Sequence, residues 1–383
     1  PDDDTPSEGG SDTPSEDTYK DYIDILDGFG AKIDVAANFQ EGSITSQERV
    51  NEYHQELVNR DIDVIDLPCP RSIFRIRDII RSYKMVKKIA DERHYQIVHC
   101  HSPIGGVITR LACRKQRKKG LKVIYTAHGF HFFTGASWKN WLVFYPIEKW
   151  MARYTDVLIT ICKEDFNRAR SKMRAEKIIY SPGVGIDVNA IKNMPVFENK
   201  REELGILKDE KIIYSIGELN KNKNHEVIIR ALGALKKRDV HYVICGKGDL
   251  QNHLLQVARE VGIEENVHLL GFRTDAKEWL KFVDIFAFPS YREGLPVSLM
   301  EAMAAGLPAV VSDIRGNVDL VSHQQGGYLC GTKDVSAFTD AIIHLSTHEE
   351  ERKRMGQVNQ QTIHQFSLLH FRQEFRPFPQ VCY

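Results

Sequence analysis

Two glutamates, Glu293 and Glu301, lie eight residues apart in the stretch REGLPVSLMEAMAAGLPAV. The strand-like run DIFAFPS precedes them, and Pro296 suits the first turn of a helix because proline lacks the N–H group that is unpaired there. Glu293 would then lie in the loop before this helix and Glu301 on its second turn. Free backbone N–H groups and the positive end of the helix dipole at 295–298 form a site for phosphate. The stretch therefore predicts a phosphate site flanked by two carboxylates.

The two carboxylates could recognise the groups attached to a bound phosphate. A glutamate beside the helix start can accept hydrogen bonds from two vicinal ribose hydroxyls, as acidic residues do in dinucleotide-binding folds. The other glutamate could then reach whatever else the phosphate carries. A single glutamate is usually only an exposed charge, so the hypothesis depends on the combination of strand, loop acid, GLP turn and acidic helix.

The chain that positions these residues is long enough for two domains. It has 383 residues, of which 42% are hydrophobic and 27% charged, as in a soluble globular protein. No apolar run approaches the roughly 20 residues that cross a bilayer, and the start shows no secretory signal. The seven cysteines are scattered and form no CxxC pair, which predicts reduced thiols in the cytosol and no disulfide framework.

Strand-like and helix-like runs alternate along most of the chain. In the first half the strand-like runs are AKIDVAA, QIVHCH and KVIYTAHG, and in the second half they are KIIYSIG, VHYVICG, NVHLLG, DIFAFPS and PAVVSD. Such alternation predicts parallel, doubly wound sheets. We therefore expect an α/β protein of two Rossmann-like domains, at 19–190 and 191–365, that face a central cleft and bind ligands at the carboxyl ends of their strands.

Charge is segregated along the chain, although the 52 basic and 52 acidic residues cancel. Residues 1–18 repeat TPSE and contain no large apolar residue, so we expect a disordered acidic tail there. Residues 71–122 carry fifteen Lys/Arg against three Asp/Glu, a block that could meet an anionic membrane, nucleic acid or only solvent. Residues 366–383 contain a helical piece that could cross back to the first domain. One helical stripe in the basic block is apolar and consists of Ile73, Ile76, Ile80, Tyr83 and Val86.

The run EGLPVSLMEAMAAGLPAVVSD resembles the E-x7-E signature of retaining glycosyltransferases of the GT-B fold, glycosyltransferase family 4. The other landmarks follow in the order of that family, and the resemblance covers about residues 19–375. HCHSPIGGVITRLA, YTAHGFHFFTGASWKNWLVFYPIEKW and GELNKNKN together resemble a narrower group, the bacterial capsular and exopolysaccharide biosynthesis transferases. Members of this group add a sugar to a lipid-linked saccharide at the cytoplasmic face of the membrane.

The resemblance implies a nucleotide-sugar donor, with a UDP-sugar favoured, and transfer with retention at the anomeric carbon. Glu301 would hold the ribose and Glu293, one of two expected catalytic residues, would approach the sugar hydroxyls. The residues expected to bind the donor are Gly217, Lys223, Arg273, Gly294, Leu295, Pro296, Val297, Ser298 and Glu301. No cofactor is implied.

One position departs from the family pattern, because Glu218 stands where the family has an arginine. A carboxylate near two phosphates repels them, so either Lys221, Lys223 and Arg273 balance the charge of the donor or donor binding is weak. The glycine turn CGKGDL at 245–250 resembles the next family landmark, where small residues let the backbone approach the nucleotide.

In the first domain the resemblance singles out His128, the second expected catalytic residue, which would orient the transferring sugar. His131 nearby could be confused with it. His101 would lie at the edge of the cleft on the acceptor side. Both His101 and His128 could also be packing residues. No protein nucleophile is evident, so catalysis would come mainly from preorganised stabilisation of the leaving diphosphate. We predict no metal site, because the DID triplet at 61–63 does not end a strand of the cleft.

The expected acceptor is a free or lipid-linked saccharide, and the protein would be cytoplasmic, with peripheral contact to an anionic membrane at the inner face. The basic block at 71–122 is the better membrane candidate. An aromatic stretch is a second one, although part of it could equally be a core helix. Its residues are Phe132, Phe133, Trp138, Lys139, Trp141, Lys149 and Trp150. A nucleic-acid partner is not expected, since the chain has no base-stacking platform.

The family begins with a strand, but no β-rich run precedes Tyr19 in this chain. Losing a central strand would expose apolar surface and unpaired backbone groups on its neighbours, so we expect a destabilised first domain. Two alternatives therefore stay open. One is a nucleotide-sugar epimerase or hydrolase of the same fold, and the other is an inactive nucleotide-sugar-binding subunit.

Overall fold

The computed structural model describes residues 23–24, 30–40, 47–182, 185–195, 200–235, 239–368 and 370. The expected acidic tail and the C-terminal residues 371–383 lie outside this described part. The chain divides into two compact units after Ser181, whereas the sequence analysis placed the boundary at 190. In every sheet of both units the paired strands are parallel.

The first unit contains a two-stranded and a four-stranded sheet, in the orders β1-β2 and β3-β4-β5-β6. The strands are β1 (Asp34–Ala37), β2 (Asp63–Asp66), β3 (Ile97–Cys100), β4 (Lys122–Ala127), β5 (Val157–Thr160) and β6 (Lys177–Tyr180). Neighbouring parallel strands need a crossover, which helices provide here. These helices are α1 (Gln47–Asn59), α2 (Ile76–Arg93), α3 (Pro103–Arg117), α4 (Trp138–Met151) and α5 (Lys163–Lys172).

The two sheets of the first unit are joined by side chains next to their adjacent edges. Within the described residues, β1 pairs only with β2, and β3 pairs only with β4. Tyr95 donates its phenol hydrogen to the Asp34 carboxylate at 2.5 Å, and Arg93 binds the same carboxylate at 2.7 Å. Because Tyr95 precedes β3 and Asp34 begins β1, these contacts hold the amino ends of the two strands together.

Helix α2 buries only part of its predicted apolar stripe. Val86 and Ala90 pack with Cys113 of α3 and Val123 of β4. In contrast, Ile76, Ile80 and the preceding Ile73 are exposed. The apolar stripe therefore does not form a buried face in the first half of the helix. The later turns pack against α3 through Val86 and Ala90.

The second unit contains one six-stranded sheet in the order β12-β11-β10-β7-β8-β9. Its strands are β7 (Lys211–Ile216), β8 (Val240–Cys245), β9 (Val267–Gly271), β10 (Ile285–Phe288), β11 (Ala309–Ser312) and β12 (Gly327–Cys330). The chain winds outward from β7 through β9, then returns to add β10 on the other side of β7. This reversal creates a topological switch point between β7 and β10, where open α/β sheets bind ligands. The predicted doubly wound arrangement is confirmed in this unit.

Helices cover the sheet of the second unit on both faces, as its buried strands require. They are α6 (Val188–Lys192), α7 (Lys200–Glu203), α8 (His225–Leu235), α9 (Gln251–Glu260), α10 (Val297–Ala304), α11 (Asn317–Leu320), α12 (Val335–Thr347) and α13 (Glu349–Ile363). Across both units, none of the helices that the structure describes is long and apolar enough to cross a membrane.

Candidate active site

The loop between β10 and α10, together with α10 itself, contains six of the nine expected donor residues, and the loop lies at the switch point of the sheet. Helix α10 begins at Val297, and Pro296 is its N-cap. Because proline provides no capping side chain, the first N–H groups of this helix have no cap from that residue. Glu293 lies in the loop and Glu301 on the helix, and both are buried. The local arrangement expected from the sequence is therefore present.

Each of the two glutamates forms an ion pair with a lysine from a different loop. Lys223 Nζ lies 2.8 Å from Glu293 Oε1, and Lys277 Nζ lies 2.8 Å from Glu301 Oε1. The side chain of Lys223 also passes Gly217, where an added Cβ would lie 3.3 Å from its Cδ. The structure thus brings Gly217, Lys223 and Glu293 together as the sequence predicted. Lys277 was missed, because a lysine in TDAKEW carries no motif that points to it.

The loop that carries Lys223 and the loop after β11 both hold the loop between β10 and α10, here called the donor loop, in place. Asn222 donates from Nδ2 to the Arg292 carbonyl at 3.0 Å, while the Asn222 carbonyl accepts from the Tyr291 N–H at 2.8 Å. On the other side, Arg315 donates from Nε to the Glu293 carbonyl at 3.1 Å. Gly316 follows with a φ of 81°, and a Cβ there would lie 2.2 Å from the Gly294 carbonyl oxygen. The backbone that carries Glu293 is therefore fixed from both sides, and Arg315 is another contributor that sequence reasoning missed.

The glycine turns after β7 and β8 cross at very short range. A Cβ at Gly246 would lie 1.8 Å from the Gly217 carbonyl oxygen, and one at Gly248 would lie 2.4 Å from that of Leu219. Any side chain at these two positions would push the loops apart. This gives a physical reason for the glycines of the CGKGDL turn that is independent of a bound nucleotide.

Arg273 belongs to a different ion cluster from the one around Glu293. Its guanidinium donates to Asp275 at 2.7 Å and also binds Glu203, while the group lies 5.9 Å from the ring centre of Trp279. The hydrogen bonds from Arg273, together with one from Lys200, hold the pKa of Asp275 well below its usual range. These contacts account for Arg273 without a ligand, so its donor role stays a prediction.

Glu218, which replaces the family arginine, accepts a hydrogen bond from Asn220 Nδ2 at 2.9 Å. The Asn220 side-chain oxygen in turn accepts from the Lys223 N–H at 3.0 Å. The substituted carboxylate therefore takes part in the turn that presents Lys223.

In the first unit, three histidines meet at the carboxyl ends of β3 and β4. His101 Nδ1 lies 3.2 Å from His128 Nε2, and the rings of His99 and His101 are 4.1 Å apart between centres. His99 Nε2 also lies 2.8 Å from the Thr126 hydroxyl. His131 points elsewhere and stacks on Phe144 of α4 with 4.6 Å between ring centres. The structure thus joins the predicted His101 and His128 and adds His99, which the sequence analysis did not single out.

Burial keeps these histidines neutral. It lowers the pKa of His99 to about 4 and that of His128 to about 3, and it holds the pKa of His101 well below the ordinary 6.5. A neutral imidazole can donate one hydrogen bond and accept another. This arrangement suits contact with sugar hydroxyls better than pairing with a phosphate.

We expect the ring signals of His99 and His128 to show no titration between pH 5 and 8 when followed by NMR. Because their folded pKa values lie below the ordinary 6.5, the unfolded chain binds more protons between about pH 6.5 and 4. The free energy of unfolding should therefore fall as the pH drops through this window, by up to about 1.4 kcal/mol per pH unit for each histidine. Titration of either ring near pH 6.5 would contradict this account.

Within the described residues, no group of three or more His, Cys, Asp or Glu side chains is arranged to hold a metal ion. Two features of the second unit could stabilise a bound diphosphate, the start of α10 and the Lys223 ammonium.

Comparison with known proteins identifies the family. Residues 26–184 match the family described as Glycosyltransferase Family 4, and residues 196–362 match Glycosyl transferases group 1. The chain is 37% identical over 309 residues to a Bacillus subtilis protein named Putative glycosyltransferase EpsD, which covers 79% of this chain and 80% of that protein. The chain belongs to the group 1 glycosyltransferases. The family resemblance of the sequence is thereby confirmed, and both of the site regions lie within matched residues.

One further relative and one solved structure extend the comparison of this glycosyltransferase. It is 31% identical over 290 residues to the UDP-Gal:alpha-D-GlcNAc-diphosphoundecaprenol alpha-1,3-galactosyltransferase of Escherichia coli, covering 72% of each chain. The crystal structure of HepE from Anabaena in complex with UDP and glucose superimposes with a TM-score of 0.75 at 19% identity, covering 97% of this chain and 98% of that one. The predicted GT-B architecture of two Rossmann-like domains is confirmed.

Proposed function

We propose that this glycosyltransferase moves a sugar from a nucleoside-diphosphate sugar, preferably a UDP-sugar, to a free or lipid-linked saccharide. The transfer retains the configuration at the anomeric carbon. The proposal is carried by the start of α10, which lies at the switch point of the sheet between Glu293 and Glu301, each paired with a lysine. The UDP bound by HepE and the UDP-galactose in the name of the Escherichia coli relative support a uridine nucleotide.

The donor is held by charge and hydrogen bonding. Glu301 accepts from the ribose hydroxyls, and the first N–H groups of α10 bind the diphosphate together with Lys223. Glu293 binds hydroxyls of the sugar while it keeps its contact with Lys223. As the bond between the anomeric carbon and the diphosphate breaks, the same helix start and ammonium stabilise the negative charge that develops on the leaving group.

Retention without a protein nucleophile sets the geometry of attack. The acceptor oxygen forms its bond to the anomeric carbon on the side from which the diphosphate leaves. Its proton then passes to the departing diphosphate oxygen, which is the nearest base. His128 contributes by orienting the sugar through a neutral imidazole, and His101 holds that ring at 3.2 Å.

The acceptor that we propose is lipid-linked, since the name of the Escherichia coli relative includes a diphosphoundecaprenol acceptor. A reaction of this kind takes place at a membrane surface. We accordingly place the protein in the cytoplasm with peripheral contact to the inner face of the cell membrane, to which the basic block at 71–122 is attracted.

A direct test combines a panel of nucleotide sugars with a short-chain diphospho-lipid saccharide and the purified protein. The proposal expects one UDP-sugar to give a product whose anomeric configuration, read from NMR coupling, equals that of the donor. An inverted product contradicts retention. Equal sugar release with and without the acceptor indicates a hydrolase, and a changed donor sugar indicates an epimerase. Nucleotide binding without any turnover identifies an inactive binding subunit.

Replacing Lys277 with alanine should weaken UDP binding about tenfold at pH 7. Glu301 is buried and has its carboxylate oriented by Lys277 at 2.8 Å, so loss of that partner leaves a carboxylate that is poorly placed for the ribose. Isothermal titration calorimetry with UDP measures the change. The exposed Lys208→Ala is the matched control and should bind UDP as the wild type does. If Lys277→Ala and Lys208→Ala bind alike, Lys277 has no positioning role.

A further inference from the structure

Helix α4 is apolar on its outer side as well as on its inner side. Inward, Trp141 and Tyr145 pack around the buried Phe132. Outward, Trp138 is 70% exposed and Leu142 is 67% exposed. Surface helices normally place polar residues there, and contiguous exposed apolar residues indicate an interaction site. We call the following set the α4 outer face: Trp138, Lys139, Leu142, Val143, Ile147, Lys149 and Trp150.

The charge of this face has one sign. Its two ionisable residues are Lys139 and Lys149, and both are exposed. The only acidic residue of the helix, Glu148, points inward, where it forms two hydrogen bonds with the buried Arg110. The α4 outer face therefore combines apolar area with positive charge, which matches a lipid surface of negative charge.

This arrangement corrects the membrane prediction made from the sequence. Phe132 is fully buried and Trp141 packs in the same core cluster, so neither can enter a membrane interface. Trp138 and Trp150 are exposed as required, and they lie near the two ends of the helix. The apolar residues between them, such as Leu142, were not singled out from the sequence.

We propose that the α4 outer face docks the first unit onto an anionic lipid bilayer. A helix of 14 residues is about 21 Å long, which is shorter than the roughly 30 Å hydrocarbon core. It therefore lies in the plane of the interface, with its indole rings among the headgroups and its lysines next to lipid phosphates. A second copy of this chain fits the face less well, because an isologous contact would bring its lysines against each other.

Docking through α4 has a consequence for the reaction. This consequence, unlike the docking itself, rests on the proposed function. The inner side of the same helix contacts the loop that follows His128, because His131 in that loop stacks on Phe144. The membrane surface and the histidine cluster are thus connected by a single helix and its adjoining loop. A saccharide anchored by a lipid would be presented to the unit that carries these histidines.

The test measures sedimentation of the full chain with vesicles made of equal parts phosphatidylglycerol and phosphatidylcholine, in the absence of donor and acceptor. The double variant Leu142→Ser/Ile147→Ser should reduce the fraction bound at least tenfold. The matched control is Leu207→Ser/Ile343→Ser in the second unit, where the wild-type residues are 63% and 39% exposed against 67% and 39% in α4. This control should bind as the wild type does. Lys139→Gln/Lys149→Gln should reduce the preference over pure phosphatidylcholine vesicles.

Any one of three results would overturn the docking proposal. The first is that the wild type does not bind the vesicles, and the second is that the α4 variant binds as well as its control. The third is that size-exclusion chromatography shows a dimer for the wild type and a monomer for the α4 variant. Phe74 and Ile76, around the start of α2, are also exposed. Phe74→Ser/Ile76→Ser should lose less binding than the α4 variant, and a greater loss would move the docking surface to α2. Vesicle binding with no transfer from any nucleotide sugar would contradict the proposed function and leave the docking intact.

Discussion

Replacing Glu293 with glutamine should lower kcat about 10²- to 10³-fold, which is the loss typical for one preorganised electrostatic contact, and should keep UDP affinity at least at the wild-type level. Glutamine preserves the shape of the side chain but removes the charge that holds sugar hydroxyls. It also frees Lys223, now 2.8 Å from the Glu293 carboxylate, to pair fully with the diphosphate. Initial rates at saturating donor and calorimetry with UDP measure the two effects separately.

The variant Glu301→Gln should show the opposite pattern of effects on UDP binding and kcat. Comparing the two variants therefore separates the roles of the two glutamates. It should weaken UDP binding, because the ribose hydroxyls lose a charged acceptor, and should lower kcat less than Glu293→Gln does. Glu265→Gln changes an exposed acid of the same unit and should alter neither quantity. If Glu293→Gln keeps its turnover, or if it loses UDP binding while kcat stays unchanged, the role assigned to Glu293 is wrong.

The donor loop was predictable because its parts lie close together in the sequence. A strand, a loop acid, a proline and a helix follow one another between 285 and 304, so local rules of capping and periodicity suffice to place Glu293 and Glu301. Lys277 and Arg315 escaped prediction for the converse reason. Lys277 meets α10 and Arg315 meets the loop before it only through the tertiary fold, and a single lysine or arginine in a loop carries no local signal.

The aromatic stretch that was considered for membrane contact shows a different limit of sequence reasoning. Periodicity assigns an inner face only when the other face is polar. Helix α4 has large apolar residues on both sides, so Trp138 and Trp141 looked equivalent until packing showed that only Trp141 joins the core. In α2 the apolar periodicity misled in the opposite way, because Ile76 and Ile80 belong to the apolar stripe and yet are exposed.

The buried ion pair between α3 and α4 gives the largest expected effect on stability. Arg110 donates to both carboxylate oxygens of Glu148, at 2.9 and 3.1 Å, and its guanidinium lies 4.0 Å from the ring centre of Tyr125. Arg110→Met leaves the Glu148 carboxylate buried without its cation and should destabilise the first unit by about 3–5 kcal/mol. Amide hydrogen exchange of the peptides that cover α3 and α4 measures the change.

The double variant Arg110→Met/Glu148→Leu should recover most of this loss, because it removes the unpaired charge and fills the space with apolar groups. Arg259→Met breaks the exposed pair with Glu264 and should cost less than about 1 kcal/mol, which makes it the control for losing an arginine. A double variant as unstable as Arg110→Met would show that the arginine acts through its packing on Tyr125. In that case the desolvated charge of Glu148 would not be what makes the single substitution costly.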